Sequence, residues 1–357
     1  MAKKYNIYFI PFEIRGPIYL ELLKANIDGE SKDGDIYKVN RFSWKHLFFT
    51  RAQKDERRVI HIHWETNVYG SKYLIVSLAK MIIKFPTLWL LKKLHGIKIV
   101  WTRHNLQSHD YPHPKSDDFG RVLMYMIADK VLFHENVFAI SETKSGKHTN
   151  IECIPPGNYI NVYGPLWSVD RDAIRAKYGL SKDKIVLLAL GAVRPYKALE
   201  PLIESVIEVT NKGVPVELFV MGRAPKDYGD SLIKLVGGNK NIILNLTYFA
   251  DEDTAELHGL ADYSALYYGE SALGSAAILL SLSYGVPVIS RDFAVSELVE
   301  EGKNGFKFHD KNGLIKVLEK LPQIPKFDKQ QVISTVSDWG WKEMGDATRK
   351  AYTSLYK

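Results

Sequence analysis

Cysteine is almost absent, with Cys153 standing alone in 357 residues. A single thiol excludes an internal disulfide and any cysteine-rich zinc site, and it fits a reducing compartment. No Gly-x-Gly-x-x-Gly follows any strand-like run, which argues against a dinucleotide oxidoreductase. No unbroken apolar run reaches the ~18–20 residues that cross a bilayer. The nearest stretch, Tyr73–Leu94, is interrupted by Lys80, Lys84, Pro86, Lys92 and Lys93. The first residues lead straight into a strand-like Tyr5–Phe12, too short for a secretory leader. Lysine and arginine are scattered rather than run together, and none of the usual nucleic-acid motifs occurs, so no nucleic-acid partner is expected. Internal repeats and low-complexity segments are lacking too.

What is present describes a globular chain long enough for two domains. Its net charge of +7 suits anionic partners such as nucleotide diphosphates, lipid phosphates or an acidic membrane face. Apolar strand-like runs alternate with helical ones from end to end. Tyr5–Pro11, Val59–His63, Ile97–Thr102, Lys130–Phe133 and Val137–Ile140 read as strands of one sheet. Ile185–Leu190, Val216–Met221, Ile242–Leu246, Tyr263–Tyr267 and Val286–Ser290 read as strands of a second. Helical patterns between them predict α/β architecture with two parallel sheets, each covered on both faces. Pro155, Pro156, Gly157, Gly164 and Pro165 mark a linker, giving domains 1–165 and 166–337. A helical pattern over 338–357 carries Trp339, Trp341, Tyr352 and Tyr356.

Two segments carry the chemistry. Tyr267–Ile289 reads as a loop, a helix N-terminus, an apolar helix and a strand, with Gly269, Gly274 and Ser275 where the helix opens. Ser275 suits an N-cap, and such a terminus leaves backbone N–H groups for an anion. An ordinary strand–helix–strand unit with a glycine turn would read the same way. Ile185–Leu190 ends at Gly191, with Arg194 and Lys197 close behind. Ligands of parallel sheets bind beyond the carboxyl ends of the strands. A guanidinium fork and an ammonium point charge there suit a diphosphate, with solvated loop cations as the alternative. Met221-Gly222-Arg223 closes a further strand and can add charge.

The pattern Gly191-x-x-Arg194-x-Tyr196-Lys197, the turn Tyr248-Phe249-Ala250-Asp251-Glu252 and the block from Gly274-Ser275 to Gly285-Val286-Pro287-Val288-Ile289 together resemble the donor half of GT-B glycosyltransferases. His61–Glu65, Thr102–His109 and Ile154–Tyr159 resemble blocks of exopolysaccharide β-mannosyltransferases and their relatives. The resemblance spans nearly the whole chain. It implies two Rossmann-like domains facing across a cleft, with the last helix, 338–357, crossing back to the first domain. It implies a donor site of Arg194, Lys197, Gly191, Tyr248, Glu270, Gly274, Ser275 and Glu297, in which Tyr248 lies in the nucleobase turn and Glu297 meets donor hydroxyls. Cations and a helix dipole would neutralise the diphosphate, so neither metal nor cofactor is expected. One departure stands out. The Glu-x7-Glu pair of many retaining members would fall at Ala272 and Leu280, with Glu270 out of register. That argues against the standard retaining branch and leaves donor base and stereochemistry open.

The first domain supplies the remaining candidates. His61 and His63 share one face of a strand, joined by Glu65 if the strand continues. They read as residues lining the acceptor side of the cleft, together with His109, rather than as a metal site. The resemblance has His104 facing the donor sugar. An acceptor hydroxyl needs a general base, for which Asp110, Glu65, Glu13 and His104 qualify. Asp110 and Glu65 rank first as carboxylates beside histidines. Asp251 reads as a helix N-cap. Tyr73–Leu94 reads either as a core helix pair kinked at Pro86 or as a helix lying on a membrane surface.

The reading is a cytoplasmic glycosyltransferase, with the inner face of the cell membrane as a contact. It moves a sugar from a nucleotide-diphosphate donor, GDP slightly ahead of UDP, to a glycan or lipid-linked acceptor. A nucleotide-sugar epimerase of the same fold and a non-catalytic sugar-nucleotide or glycan-binding subunit are the alternatives.

Overall fold

A computed structural model describes residues 2–13, 18–104, 108, 111–146, 150–165, 170–269 and 276–357. Its contacts divide into two units, Met1–Gly157 with Trp339–Lys357 and Asn158–Asp338. The break falls ahead of the 165/166 boundary expected from the prolines, for a visible reason. Asn158 Nδ2 donates to the Val336 carbonyl (2.9 Å), the Tyr159 N–H to Ser283 Oγ (2.9 Å) and the Tyr163 N–H to the Tyr284 hydroxyl (3.0 Å). These bonds anchor the early linker residues within the second unit.

The first unit runs β1 (Lys4–Ile10), α1 (Tyr19–Ile27), β2 (Gly29–Glu30), β3 (Ile36–Arg41), α2 (Trp44–Phe49), β4 (Glu56–Ile62), α3 (Thr66–Tyr69), α4 (Leu74–His95), β5 (Lys98–Thr102), α5 (Pro114–Ile127), β6 (Lys130–Phe133), α6 (Asn136–Lys144) and β7 (Ile151–Cys153). The second runs α7 (Arg171–Lys177), β8 (Ile185–Leu190), α8 (Leu199–Asn211), β9 (Val216–Met221), α9 (Lys226–Val236), β10 (Ile242–Asn245), α10 (Thr254–Gly259), β11 (Tyr263–Leu266), α11 (Ala276–Ser283), β12 (Val288–Arg291), β13 (Gly305–Phe308), α12 (Lys311–Lys320) and α13 (Lys329–Ser334). The last helix, α14 (Trp341–Ser354), belongs to the first unit.

The first sheet has the order β2-β3-β1-β4-β5-β6-β7, parallel except for the β2–β3 pair. The second, β10-β9-β8-β11-β12-β13, is parallel throughout. Strand order reverses between β1 and β4 and between β8 and β11. In open α/β sheets such reversals open a crevice beyond the strand ends. Every residue of β9 and all but the first of β8 are buried, as parallel strands covered on both faces require. Helix α8 buries Leu199, Leu202, Ile203, Val206 and Val209, a 3.6-residue stripe laid on that sheet. Helix α14 buries Trp341, Met344, Thr348, Ala351 and Tyr352 and packs on α1. Arg349 of α14 donates through Nε to the Ile27 carbonyl and through Nη2 to that of Asp28, both at 2.9 Å, satisfying the end of α1.

Several expectations need correction. Val137–Ile140 lies within helix α6, not in a strand; a four-residue apolar run cannot separate the two by pattern. Tyr73–Leu94 forms one continuous helix through Pro86 rather than a pair. By length and composition α4 could also cross a bilayer, with mean hydropathy 1.7 over its most apolar window, against the expectation that no run would. The helix turn after Ala250 is capped by Asp253, whose carboxylate accepts from the Ala250 N–H (2.9 Å), not by Asp251.

Candidate functional site

The second unit gathers its cations at the β8/β11 reversal. Strand β8 is followed by Gly191, at φ +99°, and β9 by Gly222, at φ +149°. A Cβ on Gly222 would meet the Gly191 carbonyl at 2.2 Å, so the two strand ends close up only on glycine. The Gly191 N–H donates to the Met221 carbonyl and the Val193 N–H to that of Arg223, both at 3.0 Å. The chain then makes a 3-10 turn over Pro195–Lys197 and enters α8 through Ala198, held left-handed at φ +47°. A non-glycine residue there carries strain, which the surrounding packing must hold.

This turn folds Lys197 back beneath the end of β8, where Nζ donates to the Leu190 carbonyl (3.1 Å). Burial, and then the neighbouring Arg194, pull the Lys197 ammonium down to about 8. The Arg194 Nη1 donates to the carbonyls of Val193 (3.0 Å) and Arg223 (3.2 Å). The Gly269 N–H donates to the Tyr196 carbonyl (2.9 Å), tying the loop after β11 to the same turn. A narrow cavity lined by Gly191, Lys197, Ala265 and Tyr268 lies alongside. A half-buried cation at the carboxyl end of a parallel strand is costly to keep charged, and an arriving anion offsets that cost.

The first unit assembles a different cluster at its own reversal. His61 is the last residue but one of β4, with Nδ1 2.6 Å from the Tyr352 hydroxyl and Nε2 2.7 Å from Thr102 Oγ1. The His63 ring lies 4.0 Å from that of His61 and 5.8 Å from that of His104. His104 follows β5 and stacks on Trp64 at 4.6 Å. His134 follows β6, its ring 5.2 Å from His104. Its Nδ1–H donates to the Ile154 carbonyl (2.8 Å), which leaves Nε2 to accept from the Tyr19 hydroxyl (3.1 Å). All four imidazoles sit below the ordinary histidine range, His61 at about 3, chiefly because burial disfavours the cation. Among the described residues, neither ring nitrogen of His63 and not Nε2 of His104 has a hydrogen-bond partner. Unmet buried donors and acceptors are costly, and a hydroxyl-bearing ligand would satisfy them. No group of His, Cys, Asp or Glu among the described residues is arranged to hold a metal.

Residues 184–323 match the model of the family described as glycosyl transferases group 1. They form a group 1 glycosyltransferase domain. The chain is 25% identical over 289 residues to D-inositol 3-phosphate glycosyltransferase of Rhodococcus erythropolis, covering 74% of this chain and 64% of that relative. It thus spans less than two thirds of the curated relative's length. Among solved structures, Anabaena HepE in complex with UDP matches with a TM-score of 0.71 at 15% identity, over 99% of this chain and 100% of that one. A glycosyltransferase from Rickettsia africae matches with a TM-score of 0.69 at 13% identity, over the full length of both. These likenesses place both units in the Rossmann-like GT-B class of folds.

Within the group 1 domain, Gly191, Arg194 and Lys197 come together as described. Tyr248 lies in the loop after β10, 74% exposed. Glu297 is exposed in the 3-10 turn Ala294–Leu298 that follows β12. Glu270, Gly274 and Ser275 lie outside the described residues, as do His109 and Asp110 of the first unit. Leu280, at the register of the second family glutamate, packs against the apolar core. Glu65 does not join the histidines on a strand. It opens α3, buried, with burial and Asp117 raising its carboxyl while Arg121 and Arg103 oppose that shift. Glu13 pairs with Arg41 at 3.2 Å on the surface. A polar cavity of about 430 Å³, lined by residues including Asn6, Tyr8, Arg41 and Arg58, uses the face of β1 and β4 opposite to Phe9 and His61. Sequence reasoning missed His134, Tyr19 and Tyr352. His134 carried a usable signal, since it directly follows a predicted strand, as His104 nearly does.

Proposed function

We propose that the chain is a glycosyltransferase that carries a nucleotide-diphosphate sugar on its second unit and passes the sugar to a glycan or lipid-linked acceptor. The observation that supports this most is Lys197, folded beneath the end of β8 with its ammonium depressed to about 8. Bond breaking at the sugar leaves growing negative charge on the diphosphate. Preorganised cations lower the energy of that charge. Lys197 supplies a point charge and Arg194 a fork. Because HepE has been crystallised with UDP and with UDP-glucose, UDP stands beside GDP as a donor base to test.

On the first unit, His104 is held neutral, so its ring can accept a hydrogen bond from a hydroxyl. Asp110 and Glu65 remain the carboxylate candidates for the base. The test is to incubate the protein with UDP- and GDP-sugars, with and without glycan or lipid-linked acceptors. Free nucleoside diphosphate and product mass are the readouts. The expected result is diphosphate release that depends on acceptor, with one added hexose on it. An epimerised donor formed without acceptor, or no turnover of any donor, would contradict the proposal.

A further inference from the structure

Helix α4 turns its apolar side the wrong way for a surface helix. Its buried seam is Ser77, Met81, Phe85, Leu88 and Leu91, spaced as one helical stripe. On the opposite side Ile75 is 81% exposed, Ile82 74% and Trp89 52%, with Leu78, Ile83 and Leu90 exposed beside them. A helix packed on one side normally presents charge on the other. Here two lysines turn inward instead: Lys80 Nζ donates to the Gly70 carbonyl (2.7 Å) and Lys92 Nζ to that of Ile127 (3.0 Å). Helix α5, packed against α4, adds exposed Phe119, Val122 and Met126 at i, i+3 and i+7, another single stripe. Helix α2 touches α4 and ends on Phe49, 86% exposed.

We propose that this face of the first unit docks on an anionic lipid bilayer, with α4 lying in the interface rather than crossing it. The buried seam fixes the orientation, because spanning would strip α4 from α5. The apolar residues would enter the acyl boundary and the lysines would meet lipid phosphates. Charge selects the occupant. Neither α2 nor α4 contains an acidic residue, and the exposed Asp118 of α5 is paired with Arg121, while exposed Lys45, Lys72, Lys93 and Lys115 lie on these helices or beside them. Two copies docked face to face would bring like charges together, whereas an anionic surface neutralises them. A single patch of this size exceeds what isolated surface residues account for.

The full chain is sedimented with vesicles of phosphatidylcholine alone and of phosphatidylcholine with about one third phosphatidylglycerol. It is compared with the triple variant Ile75→Ser, Ile82→Ser, Trp89→Ser, whose changes are all at exposed positions. Circular dichroism and melting temperature show that the variant folds. Wild type is expected to bind the anionic vesicles, weakly bind the neutral ones, and lose anionic binding as salt rises. The variant is expected to bind more than about a hundredfold more weakly, since three large apolar side chains lose their burial in the acyl boundary. Equal binding by both proteins, or none by wild type, would overturn the proposal. So would a wild-type dimer that the variant loses while neither binds vesicles, which would assign the face to a second copy.

Discussion

Lys197 concentrates the energetics of the proposed donor site in one side chain. Replacing it with alanine removes one charge-assisted contact to the diphosphate. Lys197→Ala should therefore weaken nucleoside diphosphate binding by roughly 10- to 100-fold, the ~1.5–3 kcal/mol of such a bond. The pH dependence follows from the depressed ammonium. An anion raises the lysine's proton affinity, so binding takes up a proton above the free-state value. Affinity should be flat below pH 8 and fall as pH rises beyond about 8, a trend that calorimetry at several pH values can follow. In Lys197→Ala that fall should vanish. Gly222→Ala should act through the fold instead. Its Cβ would press on the Gly191 carbonyl at 2.2 Å from a backbone at φ +149°, costing more than ~1 kcal/mol of stability. The sequence showed Arg194 and Lys197 after a strand, but not that the ammonium folds back onto the Leu190 carbonyl. That depends on Ala198 adopting a left-handed conformation, which no local pattern announces.

Elements divide into those the sequence announces and those only pairing creates. Strands β8 and β9 were legible because buried parallel strands are unbroken apolar runs. Strand β3, Ile-Tyr-Lys-Val-Asn-Arg, was not, because only Tyr37 and Val39 are buried, Ile36 is exposed and the rest is polar. Strands β2 and β7, at two and three residues, are too short to carry a period. Helix α14 was legible through its aromatics and its return to the first unit through the family resemblance, but the bond it makes there was not. Tyr352 crosses from α14 to β4 and bonds His61 at 2.6 Å, linking residues far apart in sequence. Tyr352→Phe keeps the ring and removes the hydroxyl, so chemical unfolding should show a loss of about 1 kcal/mol, confined to the first unit.

The molecule as a whole carries its acid sensitivity unevenly. His61, His63, His104 and His134 lie in the first unit and His258, at about 4, in the second. Each is held below its unfolded value of 6.5, so below that pH the unfolded chain binds more protons than the folded one. The stability they support is intact above pH ~6.5 and is lost as pH falls, by up to about 1.4 kcal/mol per pH unit for each histidine. Hydrogen exchange between pH 7 and 5 should therefore show the first unit loosening before the second. Simultaneous loosening of both units would contradict the buried histidine cluster. The central claim is that the second unit holds a nucleoside diphosphate at Lys197, and equilibrium titration of UDP and GDP into wild type and Lys197→Ala tests it most directly. The account predicts that wild type binds at least one of them and that the variant, equally well folded, binds it roughly 10- to 100-fold more weakly. Equal affinity in the two proteins, or no binding of either nucleotide by wild type, would contradict it.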